Sequence, residues 1–213
     1  MKKLFSACTL ALSFLTHGAM AQTDTKAKAV LDAVTKKVNS LKSLKANFVL
    51  NLSGGKGSKV NETKKGSIAI KGQKYRITLA GQEIICDNKT IWTYNKDAKE
   101  VQITNYNASE QSISPAKLLT NFYDKEYKYS YKGVVKNAEV IELVPTDRTK
   151  QVSRVELMID KNTSMISGGN IYEKNGNKVQ YTVSNVVTNS NVPDTHFSWN
   201  PKEHPGVETV DLR

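Results

Sequence analysis

Apolar and polar residues alternate with a period of two along most of this chain. The alternation is densest between residues 81 and 106, where three short apolar runs are separated by two polar turns. Ile84 and Ile85 close the first run and Asp87-Asn88-Lys89 forms a turn. Ile91 to Tyr94 make the second run, Asn95 to Lys99 turn again, and Val101 to Ile103 resume, a β-meander. Trp92 and Tyr94, two residues apart, share one face. The same period recurs in Ala46, Phe48, Leu50 and Leu52, in Ile68 and Ile70, and in Tyr75, Ile77 and Leu79 against Lys74, Arg76 and Thr78. It returns in Tyr127, Tyr129 and Tyr131, in Val155, Leu157 and Ile159, and in Val179, Tyr181 and Val183. Strands this numerous, with one apolar and one wet face, form an antiparallel sheet that curls around its apolar face. The expected fold class is therefore α+β, mainly β: an unclosed antiparallel half-barrel with a helical lid over an apolar cavity.

Two segments carry a helical period. Over residues 25–44, Val30, Leu31, Val34, Val38 and Leu41 recur at three- and four-residue steps while lysines fill the other face. Further on, Ser114 before Pro115 opens a short helix carrying Leu118, Leu119 and Phe122. Two helices are scant cover for so wide a sheet. Either the sheet closes on itself, or part of its apolar face stays open to an apolar ligand.

The start of the chain changes the picture of where this happens. Lys2 and Lys3, an apolar run from Leu4 to Leu15, and Ala19-Met20-Ala21 have the layout of a secretory signal peptide over residues 1–21. The run is too short to span a bilayer and no later run approaches that length. The expectation is one exported, soluble domain over residues 22–213. Cys8 lies inside the apolar run rather than at its end, unlike a lipid-attachment site. Loss of Lys2 and Lys3 takes the formal charge from +11 to +9, with 29 basic against 20 acidic side chains. A basic surface suits an acidic partner or anionic lipid heads, or serves solubility alone. The lysines are scattered, without the arginine clusters of a nucleic-acid binder, so no nucleic acid is expected.

Cys86 is the single cysteine after residue 21, so an internal disulfide is excluded, and its neighbours Ile84 and Ile85 mark it as a buried, inert thiol. His196 and His204 stand eight apart among prolines, in no zinc-ligand spacing. The chain has no Gly-x-Ser-x-Gly elbow, phosphate loop or His-Glu-x-x-His. Asp87 and Asp97 sit where turns call for aspartate. No catalytic residue, metal or cofactor is expected.

Taken in order, the amphipathic N-terminal helix, Ala46-Asn47-Phe48, Gly66-Ser67-Ile68 and Asp87-Asn88-Lys89-Thr90-Ile91-Trp92-Thr93-Tyr94 resemble the periplasmic outer-membrane lipoprotein carriers, the LolA family. So do Pro115 with Leu118-Leu119, Leu143-Val144-Pro145, Phe197, and residues 205–211. The resemblance implies a non-enzymatic, monomeric carrier whose partners are acylated lipoproteins, an inner-membrane ABC-type release complex and an outer-membrane lipoprotein receptor. The absence of a lipid-attachment cysteine and the extension from Gly206 to Arg213 favour the soluble carrier over the anchored receptor. Family members often carry a lid-tethering Arg before a proline where this chain reads Lys71-Gly72-Gln73-Lys74, leaving Lys71, Lys74 and Arg76 as lid-closing candidates. The cavity-wall and lid candidates are Leu31, Val34, Val38, Leu41, Tyr75, Ile77, Leu79, Trp92, Tyr94, Leu118, Leu119 and Phe122. A periplasmic lipid-binding or lipoprotein-sensing module of the same fold is the alternative, and a secreted hydrolase a more distant one.

Overall fold

The computed structural model describes residues 24–55, 57–58, 61–107 and 126–213. The chain enters through α1 (Thr25–Asn39), whose N-cap Asp24 accepts from the Ala27 N–H through Oδ1 at 2.9 Å. The helix is shorter than the apolar period over residues 25–44 suggests. Ser40 caps it by donating back to the carbonyls of Lys36 and Lys37, and Leu44 already pairs with Ile70 on one side and Thr188 on the other. Tertiary strand pairing overrides the local helical pattern there.

Eleven antiparallel strands follow: β1 (Leu44–Ser53), β2 (Asn61–Lys71), β3 (Lys74–Leu79), β4 (Gln82–Cys86), β5 (Thr90–Asn95), β6 (Glu100–Asn105), β7 (Tyr127–Val135), β8 (Ala138–Pro145), β9 (Val152–Asp160), β10 (Met165–Glu173) and β11 (Lys178–Thr188). A short β12 (Glu208–Asp211) adds parallel to β6. All twelve form one sheet in the order β12-β6-β5-β4-β3-β2-β1-β11-β10-β9-β8-β7, and its two edge strands leave it unclosed. The expected meander is β4, β5 and β6, with both turns where the sequence places them.

The register divides the side chains between two faces, because residues directly opposite one another point the same way. One face carries the lines Ile70–Tyr75–Cys86–Ile91 and Ile68–Ile77–Ile84 across β2 to β5. It continues through Phe48 and Leu50 on β1, Val183 and Tyr181 on β11, and Leu157, Ile141 and Tyr131 toward β7. Ala27, Leu31 and Val34 of α1 share a buried cluster with Ile141, Leu143, Val155, Leu157 and Ile159, so this is the helix face. Val38 and Leu41 pack farther along it, near Leu44, Ala46 and Met165. A fifteen-residue helix is about 22 Å long and five strand spacings are about 24 Å, so α1 crosses the strands from β7 to β1.

The opposite, outer face is covered over β2 to β6 by the segment 190–207, which leads into β12. Val192 and Phe197, both essentially fully buried, pack on Ala69. Two short 3-10 turns, Asp194–Phe197 and Pro201–Glu203, carry the segment across the sheet.

Candidate functional site

The helix face is dry at its floor and half-open above. Tyr75 and Cys86 are 2 % and 0 % exposed and lie directly opposite one another, with Ile70 and Ile91 beside them. Burial pushes both the Tyr75 phenol and the Cys86 thiol up, so both are neutral at physiological pH. The expected inert, buried thiol is what the structure contains. Around this floor Ile68, Ile77 and Ile84 are only partly buried, as are Leu79, Phe48, Leu50 and Leu52. Across the sheet Tyr181 and Val183 on β11 are likewise partly covered. Such aliphatic side chains, on adjacent strands and one face, make a continuous apolar surface suited to a chain-like hydrophobic ligand.

Two glycines shape this surface. A Cβ on Gly66 would fall 2.4 Å from the Phe48 ring and 2.5 Å from the Thr78 carbonyl oxygen. A Cβ on Gly169 would meet the Tyr181 hydroxyl oxygen at 2.6 Å, its ring carbon Cζ at 2.8 Å and the Glu156 carbonyl oxygen at 2.2 Å. The far end of each aromatic side chain therefore lies over the bare backbone of a glycine on the neighbouring strand.

Of the residues the sequence singles out, Leu31, Val34, Val38 and Leu41 line the buried side of α1 and its exit. Tyr75, Ile77 and Leu79 lie together on the helix face. Trp92 and Tyr94 share a face, as expected, but it is the other one. Trp92 stands opposite Ile85 and Ile103, in line with Arg76 and Ala69, so neither Trp92 nor Tyr94 belongs to the same wall as Tyr75. Tyr94 instead joins an aromatic group with Trp199 and His204 from the C-terminal segment. Its ring centroid is 5.0 Å from Trp199, and Trp199 stacks on His204 at 4.0 Å and 12°. Leu118, Leu119 and Phe122 lie outside the described residues.

The three lid-closing candidates also act on the outer face. Lys71 Nζ donates to the Val192 carbonyl at 3.0 Å and to Asp194 Oδ1 at 2.8 Å, and Lys74 Nζ reaches Asp194 Oδ2 at 3.1 Å. The two ammonium groups hold the Asp194 carboxyl below its usual range. Arg76 forks onto Glu83 at 2.7 and 2.9 Å and donates its third nitrogen to the His196 carbonyl at 3.1 Å. Among the described residues these side chains fasten the C-terminal segment, not α1. What does hold α1 is Asp24, a residue the sequence reading passes over: its Oδ2 accepts from the Tyr131 N–H of edge strand β7 at 2.6 Å. The lone acidic residue just before an amphipathic helix is an N-cap signal, but its second bond is invisible without the register.

No group of three metal-ligating side chains occurs among the described residues. A depression of about 450 Å³ is lined by Asn47, Lys65, Ser67, Thr78 and Ser184 with Val49, Phe48 and Gly66. No helix among the described residues is long and apolar enough to cross a membrane.

A family profile described as outer membrane lipoprotein carrier protein LolA matches residues 39–200. An outer-membrane lipoprotein carrier protein of Shewanella pealeana is 28 % identical over 194 residues, covering 87 % of this chain and 85 % of that protein. A second, from Shewanella sp. strain ANA-3, is 29 % identical and covers 100 % of this chain and 99 % of its own. Among solved structures, an uncharacterized conserved protein of Thermus thermophilus superposes with a TM-score of 0.60 at 12 % identity, over 87 % of this chain and 99 % of that one, a likeness of fold. With the family profile spanning most of the sheet, the chain belongs to the outer membrane lipoprotein carrier protein LolA family.

Proposed function

We propose that this protein is a periplasmic carrier that shelters the acyl chains of lipoproteins on its helix face and moves them from the inner to the outer membrane. As a LolA-family member it is a binding protein rather than an enzyme. The observation that carries the reading is the half-covered apolar surface formed by Phe48, Leu50, Ile77, Leu79 and Ile84 beside the dry floor at Tyr75 and Cys86. In this reading residues 1–21 direct export and are removed, and residues 22–213 act as one domain. An ABC-type complex in the inner membrane loads the carrier and an outer-membrane receptor unloads it.

The energetics constrain how such a carrier works. Sheltering a methylene from water stabilises by about 0.8 kcal/mol, so an acyl chain of about sixteen carbons gains about 12 kcal/mol over exposure. Transfer from a bilayer brings no such gain, because both environments are apolar. The carrier competes with the membrane when its empty face is covered by contacts of similar worth, which the ligand replaces. Val30, Leu31, Val34 and Val38 of α1 supply contacts of this kind, since they pack on the sheet by aliphatic surface alone.

The experiment is a release assay. Purified mature protein is mixed with inner-membrane vesicles that hold a labelled lipoprotein and the ATP-driven release complex. ATP-dependent appearance of the label in a soluble one-to-one complex is the expected result. Failure, with a known carrier working in parallel, would overturn the carrier reading.

A further inference from the structure

The antiparallel register brings the α1–β1 connection and the turns β2–β3, β4–β5, β7–β8 and β9–β10 to one end of the sheet. The tip of the β7–β8 hairpin projects two aliphatic side chains there, Val134 at 47 % and Val135 at 55 % exposure. They stand opposite Glu139 and Ala138, hence on the two different faces of the hairpin. Lys136 follows in a left-handed turn conformation, with φ 55°. The neighbouring turn is fastened alongside: the Lys161 N–H donates to the Asn137 carbonyl at 3.1 Å, and Asn137 Nδ2 donates to Asp160 at 2.9 Å. The tip is therefore a braced edge carrying Val134, Val135, Lys136 and Lys161.

Lysines extend this surface. Lys36 on α1 and Lys42 in the α1–β1 connection are exposed, as are Lys136 and Lys161. Among the described residues none of these four forms an ion pair. Of the nearby acids, Asp32 pairs with Lys28, while Asp160 accepts from Asn137, Asn162 and Thr163 and Glu139, opposite Val134, from the Tyr131 hydroxyl, so these last two keep their charge and the four lysines outnumber them. The described turns at the opposite end of the sheet carry lysines too, and the exposed aliphatic side chain nearest them, Val144 at 40 %, lies within β8 opposite Lys128 rather than at a hairpin tip. Unpaired cations around protruding aliphatic groups occur together at one end.

We propose that this end of the sheet docks on an anionic phospholipid bilayer. The lysines match the charge of acidic headgroups, and their long stems let the ammonium groups stay among the phosphates while the tip goes deeper. Val134 and Val135 point to opposite sides of a projecting hairpin, a shape that a deformable headgroup layer receives and a preformed protein pocket does not. The resulting contact is reversible, because two valines supply little buried area and the charge term is screened by salt. It places α1 at the membrane surface.

The test is co-sedimentation of the mature chain with lipid vesicles that contain no lipoprotein, so the outcome is independent of the carrier reading. With about one third phosphatidylglycerol in phosphatidylcholine, we expect binding that falls about tenfold in pure phosphatidylcholine or in high salt. The K136E/K161E variant loses about tenfold, whereas K96E/K99E, the same charge change at the opposite end, stays within about twofold. Val134→Ser with Val135→Ser lowers binding about fivefold. An environment-sensitive dye on a cysteine introduced at Val135 shifts to the blue on anionic vesicles, with Cys86 buried and unlabelled. Thermal unfolding checks that each variant is folded. No sedimentation of the wild-type chain, an equal loss in K96E/K99E, or no dye shift would overturn the proposal.

Discussion

Arg76 illustrates how a side chain's role depends on the face it occupies. As one of several basic residues on a strand it is a candidate tether for a lid, yet its guanidinium clamps Glu83 and the His196 carbonyl on the outer face. The Arg76 and Glu83 side chains are only 19 % and 17 % exposed. Arg76→Ala strands a largely buried carboxylate and is expected to destabilise by about 2 kcal/mol in urea unfolding, with lipoprotein binding by the folded protein retained. Gly66→Ala and Gly169→Ala drive a methyl group into an aromatic ring and a carbonyl oxygen, and each is expected to cost about 2 kcal/mol in the same measurement. Trp92 and Tyr94 show where residue-level reading stops. Alternation pairs them correctly, but Ile84, Ile85 and Cys86 are apolar in succession, so the meander gives no sign of which face its neighbours share. The cause is that both faces are covered there: Ile85 and Cys86 are each 0 % exposed, although they point to opposite sides.

At the scale of elements, α1 is held by one carboxylate that does two jobs. Asp24 caps the helix and occupies the backbone N–H of Tyr131 on the edge strand β7, and these bonds hold its carboxyl below the usual range. A depressed folded-state pKa stabilises fully above the unfolded value and ceases to do so as pH falls through the folded one. Hydrogen exchange of the Tyr131 and Ala27 amides, taken relative to the intrinsic rate at the same pH, is therefore expected to quicken as the pH drops below about 3.9, the ordinary aspartate value. Asp24→Ala is expected to quicken it already at neutral pH. An unchanged exchange rate in that variant would show that the helix is held by packing alone. Strands such as β9 and β11 were legible in the sequence because covered and wetter positions alternate along them, and β4 to β6 because polar turns separate them. The helix boundary was not, because Leu41 and Leu44 continue the helical period while Leu44 is already bound between two strands.

Over the whole molecule, one twelve-stranded sheet is covered by two unlike means. Its helix face has α1 and a half-buried apolar surface, while its outer face over the meander is partly covered by residues 190–207 and edged by β12. The outer covering packs on one side of β2 to β6, and on the helix side Ile68, Ile77, Leu79 and Ile84 stay partly exposed, the side that the proposed function gives to the ligand. Removal of residues 190–213 uncovers Ala69, Ile85 and Val101 and is expected to yield insoluble protein, checked by expression and sedimentation. The sequence announced a wide one-sided sheet, but not this second covering, because residues 190–207 form irregular backbone and short 3-10 turns without periodicity. The most direct test of a ligand-binding helix face compares neighbours on β3 that point to opposite sides. A photoreactive phenylalanine is placed at Leu79 or at Thr78, and the carrier is loaded with a lipoprotein labelled in its acyl chains. The account predicts acyl label crosslinked at position 79 and little at position 78. Equal labelling, or label at 78 alone, would contradict it.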